Sequence, residues 1–249
     1  MIYGILVVSA VIFLCILANK FSDKFGMPTL ILFMFIGMLF GSDGIVKIPF
    51  DNYELAERVC SIALIFIMFY GGFNTKWKLA RPVAARAVLL STVGVAITAG
   101  VTAILCHFVL RFSMAESFLI GAVLSSTDAA SVFSILRQKK LNLKDGTASL
   151  LEMESGSNDP MSYMLTVIGI GLVGAGETGN IAWNIFSQLT FGSIVGIVFA
   201  IVTILVLTKT NIVTDGLDTI FMIAAVLFCY AASEIAGGNQ YLSVYFMGI

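Results

Sequence analysis

The sequence predicts an all-α polytopic membrane protein, and three observations support this fold class. Hydrophobic residues make up 59% of the 249 residues and charged residues only 12%, whereas a soluble domain is roughly half apolar and a quarter charged. The apolar residues gather in runs close to the roughly 20 residues that cross a bilayer as a helix. Short polar links separate these runs, and none of the links is a Pro- or Gly-rich linker long enough to divide domains.

Eight apolar runs and the start of a ninth mark the expected transmembrane helices. The first run begins without a positively charged segment, so we expect a retained helix and not a cleaved signal peptide. The second and third runs are short for a crossing. The expected spans are residues 2–18, 28–41, 59–73, 84–108, 117–136, 149–175, 183–208 and 217–236, and the ninth begins near Tyr241.

The 14 Lys and Arg residues predict how the chain is oriented. Most of them follow the first, third, fifth and seventh runs, as Lys20, Lys78, Lys139 and Lys209 do. Links rich in Lys and Arg remain in the cytoplasm. We therefore expect a multi-pass protein of the plasma or inner membrane whose N-terminus lies outside. The net charge of −1 gives no sign of a nucleic-acid partner.

Two polar segments, residues 125–130 and 152–160, interrupt the fifth and sixth runs. A carboxylate within a membrane-length apolar run is costly and is a functional-site hypothesis by default. Asp128 and Asp159 each lie about ten residues, or roughly 15 Å, from the same predicted membrane face. Because the two runs are antiparallel neighbours joined by a short link, we expect the two carboxylates to meet near the middle of the membrane.

The same segments contain residues that disfavour a continuous helix. The hydroxyls of residues 125–127 compete for backbone hydrogen bonds, and Pro160 lacks an N–H and disfavours helical geometry at Asp159. We therefore expect an unwound backbone at both places, which survives at membrane depth only where it lines a polar cavity or is buried in protein. Carbonyl, hydroxyl and carboxylate oxygens without imidazole or thiolate suit Na⁺ or K⁺ better than a transition metal.

Residues 125–133, together with residues 154–160, resemble the core of NhaP/CvrA-type monovalent cation:proton antiporters of the cation:proton antiporter superfamily. The resemblance implies a NhaA-like inverted-repeat fold with an unwound crossing helix. It also implies electroneutral exchange of one cation for one proton by alternating access, and a homodimer. Because the chain stops within the ninth run, we expect residues 1–249 to be an incomplete transmembrane cation/proton exchange domain.

The resemblance also assigns roles to individual residues. Asp159 would be the carboxylate that binds either the cation or the proton, and Ser155 and the backbone carbonyl of Thr127 would complete the cation site. Asn158 would be the neutral half of an Asn-Asp pair. Two supporting residues are implied as well: Asp128 would balance helix-end charge at the crossing, and Glu154 would pair with an Arg on a later helix.

The transported cation is expected to be K⁺, with Na⁺ as the alternative. Some sodium-selective relatives carry an acidic residue on the third span beside the site, where this chain has the apolar residues 69–73. Two other function classes stay open: a cation channel lined by the same acids, and a membrane scaffold without transport. The sequence contains no nucleophile, metal triad or phosphate loop that would indicate an enzyme, and it implies no cofactor.

Several glycines recur at helical spacing. Residues 169–174 satisfy the pattern GxGxxG, but they neither follow a strand nor open a helix, so a dinucleotide site is not expected. Gly192 and Gly196 are four residues apart. We expect these glycines to allow close approach of neighbouring helices.

Overall fold

The structure, a computed structural model, describes residues 2–25, 29–128, 143–174, 180–209 and 216–249. Every regular element in these ranges is a helix, in agreement with the predicted fold class. The chain forms two compact units, residues 1–57 with 128–144 and residues 58–127 with 145–249.

The first unit contains helices α1 (Ile2–Phe25) and α2 (Thr29–Phe40), which pack against each other. After α2 the chain turns back on this helix, and the backbone N–H of Val46 donates to the carbonyl of Leu39 at 3.0 Å. The first two predicted spans are therefore helical. Helix α2 has 12 residues, a length of about 18 Å, and is as short as the sequence predicts.

The second unit contains α3 from Arg58 onward and the remaining helices. Four of these helices, α3, α5, α8 and α9, are long and apolar enough to cross a membrane. The helices are α3 (Tyr53–Asn74), α4 (Trp77–Ala80), α5 (Ala84–Leu110), α6 (Met114–Val123), α7 (Thr147–Val173), α8 (Ile181–Lys209), α9 (Asp218–Ile235) and α10 (Gln240–Gly248). Helix α5 is α-helical except at Leu90–Gly94 and Cys106–Leu110, where it widens into single π-helical turns.

The third run is longer than its apolar core suggests. Helix α3 has 22 residues, because a polar first turn precedes the apolar run predicted at 59–73. The side chain of Asn52 caps this turn by accepting a hydrogen bond from the N–H of Leu55 at 2.9 Å. Such a cap satisfies one of the N–H groups that have no partner within a helix.

Glycines bring the helices of the second unit into close contact. A Cβ atom on Gly196 would lie 2.3 Å from the carbonyl oxygen of Ser243, and one on Gly192 would lie 2.7 Å from that of Asn239. Both glycines therefore let α8 approach α10 at backbone distance, as the four-residue spacing predicts. Gly169 of the GxGxxG pattern packs in the same way against Leu119 of α6.

A capping box starts α6. The hydroxyl of Ser113 accepts from the N–H of Glu116 at 3.3 Å, and the N–H of Ser113 donates to the Glu116 carboxylate at 3.0 Å. Hydrogen bonds from the side chain and backbone of Ser113 lower the pKa of Glu116 below its ordinary value of 4.5. The box therefore favours the ionised carboxylate at the exposed end of α6.

This lowered pKa predicts a pH dependence of stability. A depressed folded-state pKa contributes stability that is complete above the unfolded value and is lost as the pH falls through the folded value. We expect the melting temperature of the protein in detergent to fall on acidification by slightly more than that of Glu116→Gln, whose side chain caps without titrating. If the melting temperatures of the two proteins fall by the same amount between neutral pH and a pH below 4.5, this prediction is contradicted.

Candidate functional site

The backbone leaves helical geometry at the first polar segment. Helix α6 ends at Val123, and the hydroxyl of Ser125 closes the last turn by donating to the carbonyl of Ala122 at 2.7 Å. The next three residues up to Asp128 are not helical, as the sequence predicts. Residues 129–142, which include the remainder of the predicted fifth span, lie outside the described residues. That the helix resumes after the break and crosses a partner helix therefore stays a prediction.

The break predicted at the second polar segment is wrong. Helix α7 continues through Pro160 from Thr147 to Val173. A proline inside a helix costs about 3 kcal/mol, but Pro160 is buried and α7 packs against α4, α5, α6 and α10. These tertiary contacts outweigh the local preference of one residue.

Two hydroxyl side chains connect the non-helical segment to α7. The hydroxyl of Ser126 donates to Oδ1 of Asp159 and lies 3.3 Å from Oδ1 of Asn158. The hydroxyl of Thr127 donates to the carboxylate of Glu154, with 3.1 Å between Oγ1 and Oε2. Each of the two carboxylates therefore receives a hydrogen bond from the segment that follows α6.

The backbone carbonyl of Thr127 also faces α7. It accepts from the hydroxyl of Ser155 at 2.8 Å and from Nδ2 of Asn158 at 3.4 Å. The Asn158 amide further donates to Oγ1 of Thr127 and to Oε1 of Glu154 at 3.2 Å. Asn158 has no exposed surface, and its hydrogen-bonding groups hold one orientation of the amide.

Five of the six site residues named from the sequence thus lie together in the second compact unit: Thr127, Glu154, Ser155, Asn158 and Asp159. The sixth, Asp128, follows Thr127 in the chain but belongs to the first unit. The roles assigned to all six residues remain predictions.

The turn of α7 that carries these residues contacts other helices on both of its faces. With 3.6 residues per turn, Glu154, Asn158 and Ser162 form one face, and the hydroxyl of Ser162 donates to the carbonyl of Ala122 at 2.7 Å. Gly156 and Pro160 form the opposite face, which packs against α10. The oxygen-rich face therefore meets the segment after α6, and the apolar face meets α10.

Two contacts fix the face of α7 toward α10. The ring of Tyr245 covers Gly156 so closely that a Cβ atom there would lie 2.5 Å from Cε2. Nδ2 of the buried Asn239 donates to the carbonyl of Pro160 at 3.3 Å. The sequence alone predicts neither partner, since no local signal links Gly156 to a tyrosine far along the chain.

Like Tyr245 and Asn239, Ser126 contacts the turn of α7 that carries the predicted site residues but has no role predicted from the sequence. Its hydroxyl predicts only a helix break, but its position next to Thr127 is a signal that it lies at the site. The described arrangement places carboxylate, hydroxyl, amide and carbonyl oxygens of two segments side by side. Such hard oxygen ligands can bind an alkali cation, and the carboxylate of Asp159 can bind a proton instead.

Comparisons with known proteins point the same way. Residues 8–249 match the model of the family described as sodium/hydrogen exchanger, transmembrane. The chain is 36% identical over 248 residues to the K(+)/H(+) antiporter NhaP of Alkalimonas amylolytica, covering 98% of this chain and 43% of that protein. It is 35% identical over 238 residues to the K(+)/H(+) antiporter NhaP2 of Shewanella oneidensis, covering 94% and 41%.

A more distant relative is named for a different cation. The chain is 27% identical over 187 residues to the Na(+)/H(+) antiporter 1 of Methanocaldococcus jannaschii, covering 74% of this chain and 43% of that protein. In all three comparisons the chain spans less than half the length of the relative.

Proposed function

Because the chain belongs to the sodium/hydrogen exchanger transmembrane family, we propose that it forms part of a secondary antiporter that exchanges a monovalent cation for a proton. The preferred cation is K⁺. The exchange takes place by alternating access around Asp159, and it is electroneutral because one carboxylate binds either one cation or one proton.

One observation carries this proposal: oxygens of two separate segments converge at the end of α6. Ser126 bonds the Asp159 carboxylate, and the Ser155 hydroxyl lies 2.8 Å from the Thr127 carbonyl. A cation bound to Asp159 draws further ligands from Ser155 and Thr127, as the resemblance implies. A proton on Asp159 neutralises the same carboxylate, so the two ions compete for one group.

The neighbouring residues have supporting roles in this proposal. Glu154 accepts hydrogen bonds from Thr127 and Asn158, which favours a role in holding the site together. Asn158 is neutral and therefore adds no second titratable group beside Asp159. In this proposal Asp159 alone binds the transported ions, so one charge is exchanged for one charge.

The preference for K⁺ has two supports. Both relatives at about 35% identity are named K(+)/H(+) antiporters, and the relative named for Na⁺ is more distant. In addition, helix α3 offers no acid at residues 69–73. Gly72 in this stretch instead packs against the backbone of α10, where a Cβ atom would lie 2.3 Å from the carbonyl oxygen of Tyr245.

The fold and membrane placement are proposed on the same basis. A NhaA-like inverted repeat requires the segment after α6 to cross a partner of similar form, which the family resemblance implies. The distribution of Lys and Arg supports an N-terminus outside the plasma or inner membrane. We further propose that the transporter is a homodimer.

Transport in vesicles tests the substrate. In everted vesicles with an acidic interior and a pH-sensitive dye, we expect K⁺ salts to restore fluorescence at lower concentration than Na⁺ salts in vesicles that contain the full-length protein. The rate should not change with an imposed membrane potential, because the proposed exchange moves no net charge. Absence of any cation-driven proton release would overturn the proposal, and potential-driven cation flux without proton movement would favour a channel.

A further inference from the structure

We propose that Ser126 is an additional cation ligand whose hydroxyl changes hydrogen-bond partner when the site fills. In the structure the hydroxyl donates to Asp159. When a cation binds Asp159, the hydroxyl proton turns to Asn158 and the hydroxyl oxygen joins the ligands. This inference rests on the proposed exchange at Asp159 and assigns a ligand that the family resemblance does not name.

The geometry offers the Ser126 hydroxyl two acceptors. Its oxygen bonds Oδ1 of Asp159 and lies 3.3 Å from Oδ1 of Asn158. A hydroxyl has one proton and two lone pairs, so a strong hydrogen bond to one of the two oxygens weakens the bond to the other. The choice between them therefore depends on what else is bound to Asp159.

A cation on Asp159 reverses the preference of the hydroxyl. The positive charge repels the hydroxyl proton and attracts the oxygen lone pairs. Turning the proton toward Asn158 leaves it hydrogen bonded and directs the lone pairs toward the cation. The rotation needs no backbone movement, and the hydroxyl proton keeps a hydrogen-bond partner in both arrangements.

The second acceptor is held in place. Nδ2 of Asn158 donates to Oγ1 of Thr127 and to Oε1 of Glu154 at 3.2 Å. The amide has no exposed surface, so it cannot turn toward water to exchange its two ends. Its oxygen therefore stays directed at Ser126 in both states. In this proposal the neutral amide of the Asn-Asp pair accepts the hydroxyl proton when a cation binds Asp159.

An added hydroxyl ligand also bears on which ion is preferred. The number of oxygens around an ion contributes to the selection between ions of different size. Ser126 adds one hard oxygen to those of Asp159, Ser155 and Thr127, and a fuller shell favours the larger K⁺ over Na⁺. Loss of this oxygen should therefore weaken K⁺ binding more than Na⁺ binding.

Ser125 provides a matched control in the adjacent position. Its side chain is 2% exposed, and its hydroxyl donates to the carbonyl of Ala122 at 2.7 Å. Ser125→Ala thus removes a buried hydroxyl of the same segment without removing a contact to Asp159. Any effect that follows from disturbing the segment alone should appear in this variant as well.

The test compares Ser126→Ala, Ser126→Cys, Ser126→Thr and Ser125→Ala in the full-length protein, in vesicles at one fixed pH. We expect Ser126→Ala and Ser126→Cys to raise the K⁺ concentration for half-maximal exchange about tenfold and to lower the preference for K⁺ over Na⁺. Ser126→Thr keeps the hydroxyl and should have a lower half-maximal K⁺ concentration than Ser126→Ala. If Ser126→Ala fails to fold, Ser126→Cys carries the test, since its sulfur is similar in size but a poor ligand for a hard cation.

Three outcomes distinguish failure of this inference from failure of the proposed function. If the wild type exchanges cations for protons and Ser126→Cys has an unchanged half-maximal K⁺ concentration and K⁺/Na⁺ ratio, the role of Ser126 is refuted and the antiport proposal stands. A shift of equal size in Ser125→Ala would also refute it. If the wild type fails to exchange either ion, the proposed function itself is refuted.

Discussion

Asp159→Asn is expected to reduce cation-driven proton exchange to the background of vesicles that lack the protein. An amide binds neither a proton in this pH range nor the charge of a cation, so both transported ions lose their shared site. The amide oxygen can still accept from Ser126, as the carboxylate does, so we expect the variant to fold. Initial rates of dye fluorescence recovery on addition of K⁺ or Na⁺ salts measure the effect.

Asp218→Asn is the matched control for this prediction. Asp218 is an exposed carboxylate in the first turn of α9, where the loss of charge affects only the helix end. We expect its exchange rate to stay close to that of the wild type at equal expression. Exchange by Asp159→Asn at the wild-type rate would refute the central role of Asp159, whatever the control shows.

Gly156→Ala is expected to have the second-largest effect, because it adds a methyl group where α7 touches α10. The new Cβ atom would lie 2.5 Å from Cε2 and 2.8 Å from Cζ of Tyr245, a ring that is only 1% exposed. Either the ring or the helix must move. Overpacking of this kind costs roughly 1–3 kcal/mol, and movement of the helix displaces the turn that contains Asn158 and Asp159.

Thermal unfolding of the protein in detergent, together with exchange in vesicles, measures both consequences. We expect a lower melting temperature and slower exchange for Gly156→Ala. Gly100→Ala in α5 is a matched control, since a Cβ atom at Gly100 meets nothing within 4 Å. Alanine favours a helix over glycine by roughly 0.5–1 kcal/mol, so this control should not lower the melting temperature. An unchanged melting temperature for Gly156→Ala would contradict the packing argument.

The positions of the helices follow largely from apolar patterning. The spans predicted at 84–108 and 183–208 correspond to helices Ala84–Leu110 and Ile181–Lys209, because burial of apolar surface in the bilayer depends on the local run of residues. The motif at residues 125–133 and 154–160 predicted the family, and the match over residues 8–249 confirms it.

Features that depend on residues far apart in the chain could not be predicted in this way. Pro160 predicted a break that packing overrides, since helix propensity is a weak prior in a tertiary context. The contact of Tyr245 with Gly156 depends on where α10 packs, which no local pattern specifies. The polar segment was identified from its residue types, but the partner of each hydroxyl depends on how α6 ends beside α7.

The proline within α7 has a mechanical consequence for the binding turn. Since Pro160 has no N–H, it cannot donate to the carbonyl four residues earlier, that of Gly156. The helix therefore lacks one backbone hydrogen bond across the turn that carries Asn158 and Asp159. A helix bends most readily at such a point, so the elastic energy needed to fit this turn around ions of different radius is lower than in an unbroken ladder.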